Sequence, residues 1–344
     1  MTLLTVPIVD IAPYLTETEA HKGDVAQHIG EACRDIGFLL IAGHGVPRDL
    51  IAAVDGVSQA FFDLPLAEKM RVVRPAPDIT RGYIPLEGES VARSRGEYAP
   101  GDLNESFMIG PVQVDDDAYY RRPAAGRHFA PNLWPARPAA LREIYTTYFQ
   151  VMADLARTLM RLCALALDQP ETFFDDKINR HISRLRVRNY PAPQEPPKSG
   201  QLRAGAHSDY GSLTILKTED KPGGLQVFNK AGAWVDVPIV PDCFIVNLGD
   251  LMARWTNDSW VSTLHRVVNP PMDTAAMSRR QSLVFFHNPN YDALIECIAS
   301  CQSPTNPPKY PVTTSGEHLR SQFVRTQTVG GTASATAQSG VPPA

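Results

Sequence analysis

Chemistry is most legible at His207 and Asp209, in the stretch A-H-S-D-Y at the end of a run that reads as a strand. Side chains at i and i+2 of a strand point to one face. An imidazole and a carboxylate would then converge on one point and fix an edge of a metal's coordination sphere. His265, 56 residues beyond Asp209 in the strand-like run S-T-L-H-R-V-V-N-P, offers a third donor. Two histidines and a carboxylate form the facial triad of non-haem Fe(II) oxygenases, which leaves open positions for O₂ and a cosubstrate. H-x-D alone occurs by chance in many chains and also fits a surface pair.

A second pair adds weight. Arg280 and Ser282, in S-R-R-Q-S-L-V-F-F, are again i and i+2 on an expected strand. A guanidinium and a hydroxyl on one face make a fork for a carboxylate. Arg279 would point the other way, and a structural salt bridge is the alternative role for Arg280. Upstream, R-N-Y-P offers Tyr190, whose phenol can also donate to a carboxylate.

These residues need a rigid frame. From Ser183 to about Asn288, short β-prone runs alternate with turn residues: R-L-R-V-R-N-Y-P, S-L-T-I-L-K-T, L-Q-V-F-N, W-V-D-V-P-I, C-F-I-V-N-L, H-R-V-V-N-P and Q-S-L-V-F-F-H. Such spacing predicts a sandwich or closed antiparallel barrel. The N-terminal half reads as α/β. A strand is expected over Val6–Ile11, a helix from Gly23 to Ile36 stopped by Gly37, and a buried strand at Phe38–Ala42. A helix follows Pro47 to about Phe62, and a long one spans Ala139 to Leu167. Pro65 to Pro138 has weak periodicity and is expected to be irregular, with an exposed excursion around Val91–Gly101.

Composition narrows the function classes. The chain has 344 residues, 43% hydrophobic and 20% charged, which excludes a disordered or fibrous protein. A net charge of −4 leaves no basic excess for nucleic acid or a membrane surface. No apolar run approaches the roughly 18 residues of a membrane span, and the first stretch carries no targeting pattern. Five scattered cysteines fit a reducing compartment, so a cytoplasmic protein is expected. Cys297 and Cys301, with no second pair nearby, read as incidental packing rather than a zinc site. Nothing in the sequence sets an oligomeric state.

On these motifs the chain resembles the 2-oxoglutarate- and Fe(II)-dependent dioxygenases of the isopenicillin N synthase-like class. H-S-D, H-R-V-V-N-P and R-Q-S followed by L-V-F-F-H-N-P stand in the family's order and spacing. V-P-I-V-D-I, D-I-G-F-L-L-I-A-G-H-G-V-P, F-F-D-L-P-L-A-E-K, R-G-Y-I-P and E-S-F-M-I-G match as well, so the likeness runs from about Val6 to Phe323. It implies a mainly β fold with flanking α: a double-stranded β-helix (jelly-roll) core with an N-terminal α/β region packed outside. The expected regions are 1–120 (N-terminal), 121–180 (long helical connection), 181–290 (core), 291–325 (C-terminal helical extension) and 326–344 (disordered tail).

The resemblance implies His207, Asp209 and His265 as iron ligands. Arg280 and Ser282 would hold the distal carboxylate of 2-oxoglutarate, with Tyr190 as a third contact. Arg188 and Asn189 depart from the plant-type pattern, which has Asn and Tyr there. Phe286, four residues past Ser282 on the same strand face, is a candidate for the substrate pocket. Tyr83 and Phe107 match segments that cover the pocket, with core packing as the alternative for each. An apolar or aromatic small molecule is the expected substrate.

The implied reaction is hydroxylation or desaturation of a small metabolite, using O₂ and 2-oxoglutarate and releasing succinate and CO₂, with ascorbate as the in-vitro reductant. Retention of Asp209 argues against a halogenase. Three alternatives stay open: an Fe(II) oxidase of the isopenicillin N synthase type without 2-oxoglutarate, an ethylene-forming enzyme hinted at by E-H-L at Glu317, and a non-catalytic small-molecule receptor. The intact triad argues against the last.

Overall fold

The computed structural model describes residues 6–16, 19–76, 78–97 and 99–322. Its strands in chain order are β1 (Ile8–Asp10), β2 (Phe38–Ala42), β3 (Gly82–Ile84), β4 (Glu105–Ile109), β5 (Arg184–Tyr190), β6 (Ala204–His207) and β7 (Leu213–Thr218). They continue with β8 (Leu225–Phe228), β9 (Trp234–Asp236), β10 (Phe244–Leu248), β11 (His265–Val267), β12 (Arg280–His287), β13 (Leu294–Ile295) and β14 (Thr313–Thr314). One eight-stranded sheet has the order β1-β2-β10-β7-β12-β5-β4-β3, and a four-stranded sheet has the order β6-β11-β8-β9.

Alternation along the strands builds the layers. On the outer face of the large sheet, Leu185 and Val187 of β5, Ile215 of β7, Phe244 and Val246 of β10, and Leu283 and Phe285 of β12 join one apolar core. Tyr145, Tyr148, Met152 and Leu159 of the helix Leu141–Ala166 belong to that core, as do residues of the helices Glu19–Asp35 and Arg48–Phe62. On the inner face, Phe38, Leu40, Tyr190 and Ile245 pack against Ala204, Leu225, Val227 and Val267 of the small sheet. This is the jelly-roll sandwich with helices outside. The period of two then turns Arg184, Arg186, Arg188 and Tyr190 of β5, and Arg280, Ser282, Val284 and Phe286 of β12, toward the interior between the sheets.

Gly37 ends its helix as expected, in a left-handed conformation (φ 66°), and a Cβ there would collide with the Val261 carbonyl. The region Pro65–Pro138 is more ordered than its weak periodicity suggests. It contributes β3 and β4 to the edge of the large sheet, and both strands are buried on each face, so no alternation betrays them. The stretch at Val91–Gly101 is not an exposed excursion throughout. Its 3₁₀ turn Val91–Arg95 lies on β6, with Ala92 buried and so close to Gly205 that a Cβ there would come within 2.8 Å of the Ala92 methyl. Beyond the core, the small β13–β14 pair precedes a helical stretch at 315–322, so the C-terminal extension mixes strand and helix. The expected tail at 326–344 lies outside the described residues. Among the described residues no helix is long and apolar enough to cross a membrane, and all five cysteines are free.

Candidate active site

β6 and β11 are antiparallel neighbours, and their register sets His207 opposite His265. The two rings lie 4.3 Å apart between centroids. Each ring is aimed from behind. Nδ1 of His207 donates to the Gly205 carbonyl at 2.8 Å and Nδ1 of His265 to the Thr263 carbonyl at 3.0 Å. That tautomer leaves both Nε2 lone pairs free for a cation.

Asp209 follows β6 directly. Its Oδ1 is 3.9 Å from each Nε2. Its Oδ2 accepts hydrogen bonds from Thr214 (2.6 Å) and Asn247 (2.7 Å). One oxygen is thus held by the protein while the other faces the imidazoles. The ligand atoms of the three residues lie within 4.8 Å of one another, and among the described residues this is the group that could hold a metal ion. Burial, then the neighbouring His265, lowers the pKa of His207. Burial opposes ionisation of Asp209, but the two histidines and the two hydrogen-bond donors outweigh it and its pKa is lowered. Two imidazole nitrogens with one carboxylate on one side of an open space suit Fe(II).

Behind the triad, Arg280, Ser282 and Tyr190 line a narrow cavity that His207, Asp209 and His265 also line. Arg280 stands opposite Tyr190 across the β12–β5 pair, its guanidinium carbon 5.0 Å from the phenol ring centroid. Nη1 of Arg280 donates to Thr218 at 3.2 Å. Its Nε and the Oγ of Ser282 are buried without a partner. Orphaned donors beside a buried guanidinium fit an incoming carboxylate. Arg279 points away, as expected, and pairs with Asp63 at 2.6 Å.

A larger cavity of about 290 Å³ opens in front of His207 and Asp209. Phe286 lines both cavities. Tyr83 and Phe107 do not line either and are corrected to core residues. They face each other across β3 and β4 toward the helices, where Phe107 lies 4.9 Å from Phe61 and Tyr83 donates to Glu105 at 2.5 Å. Segment likeness does not fix which face a residue takes, and it is Met108, next to Phe107, that reaches the cavity. The cavity wall also gathers charge that the sequence reading did not single out. Arg74, Arg93, Arg184, Arg186 and Arg188 line it, with Glu89 among them. The written pattern R-L-R-V-R carries that signal, since every second residue of a strand shares a face. No comparable signal marks Thr214 or Asn247, which reach Asp209 only through the folding of β7 and β10.

Comparison with known proteins agrees with this geometry. Residues 6–137 match the family described as the N-terminal region of non-haem dioxygenase in morphine synthesis, and residues 181–289 match the 2OG-Fe(II) oxygenase superfamily. The chain is 34% identical over 323 residues to the 2-oxoglutarate-Fe(II) type oxidoreductase hxnY of Emericella nidulans, covering 92% of this chain and 89% of that one. It is 31% identical to a homoarginine-6-hydroxylase of Oryza sativa, with coverage of 91% and 95%. The crystal structure of a full-length Neurospora crassa protein in complex with alpha-KG and thymine superposes with a TM-score of 0.79 at 29% identity, covering 95% of this chain and 97% of that one.

Proposed function

The chain belongs to the 2-oxoglutarate- and Fe(II)-dependent oxygenases, and from that premise we propose that His207, Asp209 and His265 are the residues that hold its Fe(II). Arg280, Ser282 and Tyr190 receive the distal carboxylate of 2-oxoglutarate. The larger cavity presents a small metabolite for hydroxylation or desaturation. When bound, Fe(II) with O₂ and 2-oxoglutarate supplies the oxidising chemistry, with succinate and CO₂ as co-products.

The chain's own residues orient and shield. The Gly205 and Thr263 carbonyls fix both imidazole tautomers, and Thr214 and Asn247 fix the carboxylate. Arg280, 2% exposed, offers a fixed charge in a buried pocket. Phe286 gives both cavities an apolar wall beside the metal-facing atoms. A cytoplasmic setting suits the five unpaired cysteines.

The strongest support is the adjacency of a three-residue ligand group to a buried guanidinium and hydroxyl that lack partners. The test is succinate release with Fe(II), ascorbate, O₂ and 2-oxoglutarate. His207→Ala is expected to abolish it while circular dichroism remains that of the folded protein. Undiminished succinate release in that variant overturns the ligand assignment. Substrate oxidation that proceeds without 2-oxoglutarate favours the isopenicillin N synthase type instead.

A further inference from the structure

The interior face of β5 carries Arg184, Arg186, Arg188 and Tyr190 in a row. Tyr190 ends the row opposite Arg280, and Arg184 begins it opposite Phe286. The row therefore runs from the expected 2-oxoglutarate pocket into the larger cavity, and Arg188 lines both. Arg74 and Arg93 add to the same wall.

Negative charge to match it is scarce. Among the described residues lining the larger cavity, Glu89 is the one acid besides Asp209. It is already engaged with Arg186 at 2.5 Å and lies 3.9 Å from Arg74. Asp102 sits behind the wall, does not line the cavity, and accepts from the backbone N–H groups of Val91 and Gly205. Arg188 is 6% exposed and its Nη1 is buried with no partner. Burial, then the charge of Arg186, pushes the Arg184 guanidinium down to about 10. A buried N–H without an acceptor is costly, and a row of like charges adds to the cost.

The cosubstrate does not answer this charge. Two charges on Fe(II) and one on Arg280 balance the two carboxylates of 2-oxoglutarate and that of Asp209. The wall in front is left for the molecule being oxidised. Its volume of about 290 Å³ lies at the small end of ligand pockets.

We propose that the substrate is a small carboxylic acid, its carboxylate received by Arg188 and its carbon skeleton held against Phe286, Leu213 and Met108. This deepens the oxygenase reading and rests on it. A guanidinium fork matches a carboxylate in shape as well as charge, while apolar side chains beside the arginine row, Phe286 across from Arg184 and Met108 across from Arg186, suit a hydrocarbon body.

Titration calorimetry on the full chain, saturated with Mn(II) and 2-oxoglutarate so that the rear pocket is filled, reads this class without turnover. The probes are benzoate, isophthalate, hexanoate and adipate, each against its neutral amide. At least one acid is expected to bind tenfold or more tightly than its amide, on the order of a charge-assisted hydrogen bond, with the preference shrinking as salt rises. Arg188→Gln reduces that preference roughly tenfold; Arg188→Met serves where the first variant does not fold. Amides that bind as tightly as the acids in every pair, no binding of any probe, or a preference unchanged in both variants overturns the proposal. Succinate release from a separate sample of the same protein, loaded with Fe(II) and supplied with ascorbate, O₂ and 2-oxoglutarate, reports on the oxygenase reading alone, so the two can fail separately.

Discussion

Ser282 on β12 and Arg188 on β5 stand directly opposite each other, and each carries a buried polar atom with no partner, the serine Oγ and the arginine Nη1. Protein interiors rarely leave such atoms unpaired. Two of them at one cross-strand position fit the two proposed ligands, the cosubstrate at Ser282 and the substrate at Arg188. Here the two cavities meet: Ser282 lines the narrow one and Arg188 lines both.

Ser282→Ala should therefore separate stability from binding. Its hydroxyl makes no bond in the unliganded protein, so its loss should change stability by less than about 0.5 kcal/mol. The same change removes a donor to the 2-oxoglutarate carboxylate, worth about 1 kcal/mol, or roughly fivefold in KM for 2-oxoglutarate. Thermal melting and 2-oxoglutarate saturation curves check both halves. A strongly lowered melting temperature would mean that the hydroxyl is structural.

Arg280→Ala removes the charge itself. Truncating one partner of a buried, hydrogen-bonded charge pair costs roughly 2–5 kcal/mol. The 2-oxoglutarate requirement should rise by about thirtyfold or more. An unchanged requirement would mean that the cosubstrate is held by other residues.

The sequence carries the parts of this site that strand parity exposes. Arg280 and Ser282 are two apart on β12, whereas Asp209 lies past the end of β6 and meets His207 without strand alternation, and the fold brings all four to one cavity. The parity of β5 is equally readable, yet parity alone does not make the arginine row a wall, because that depends on which face meets the small sheet. Likeness of segments, rather than parity, points to Tyr83 and Phe107, and they fall on the helix-facing side. β3 and β4 escape a sequence reading because strands buried on both faces show no alternation. Thr214 and Asn247 cannot be read in advance, since their register opposite one another on β7 and β10 exists only in the folded sheet.

That register carries a prediction of its own. Asn247 and Thr214 both donate to Oδ2 of Asp209 and turn Oδ1 toward the histidines. Outer partners of metal ligands typically matter by 10–100-fold in metal affinity. Asn247→Ala should weaken Fe(II) or Mn(II) binding, followed by equilibrium dialysis, by roughly that factor. Thr214→Ala should act in the same direction. Unaltered metal affinity in both variants would show that Asp209 needs no orientation from behind.

Glu89 links the cationic wall to stability through pH. Burial tends to raise its pKa, but Arg186, Arg188 and Arg74 overcome that and hold it at about 2. An unfolded glutamate titrates near 4.3. The folded state thus favours the ionised form, and the stabilisation is complete above the unfolded value and lost as pH falls through the folded one. The Glu89 side chain keeps 31% of its surface open, so water screens part of the effect. Glu89→Gln should cost about 1–2 kcal/mol at neutral pH. The gap in melting temperature between the variant and the unmodified protein should be full at pH 7, begin to narrow below about pH 4.5, and close toward pH 2. A gap that stays constant from pH 7 to about pH 3 would assign the contribution of Glu89 to packing and neutral hydrogen bonds, with no part played by its charge against the arginines.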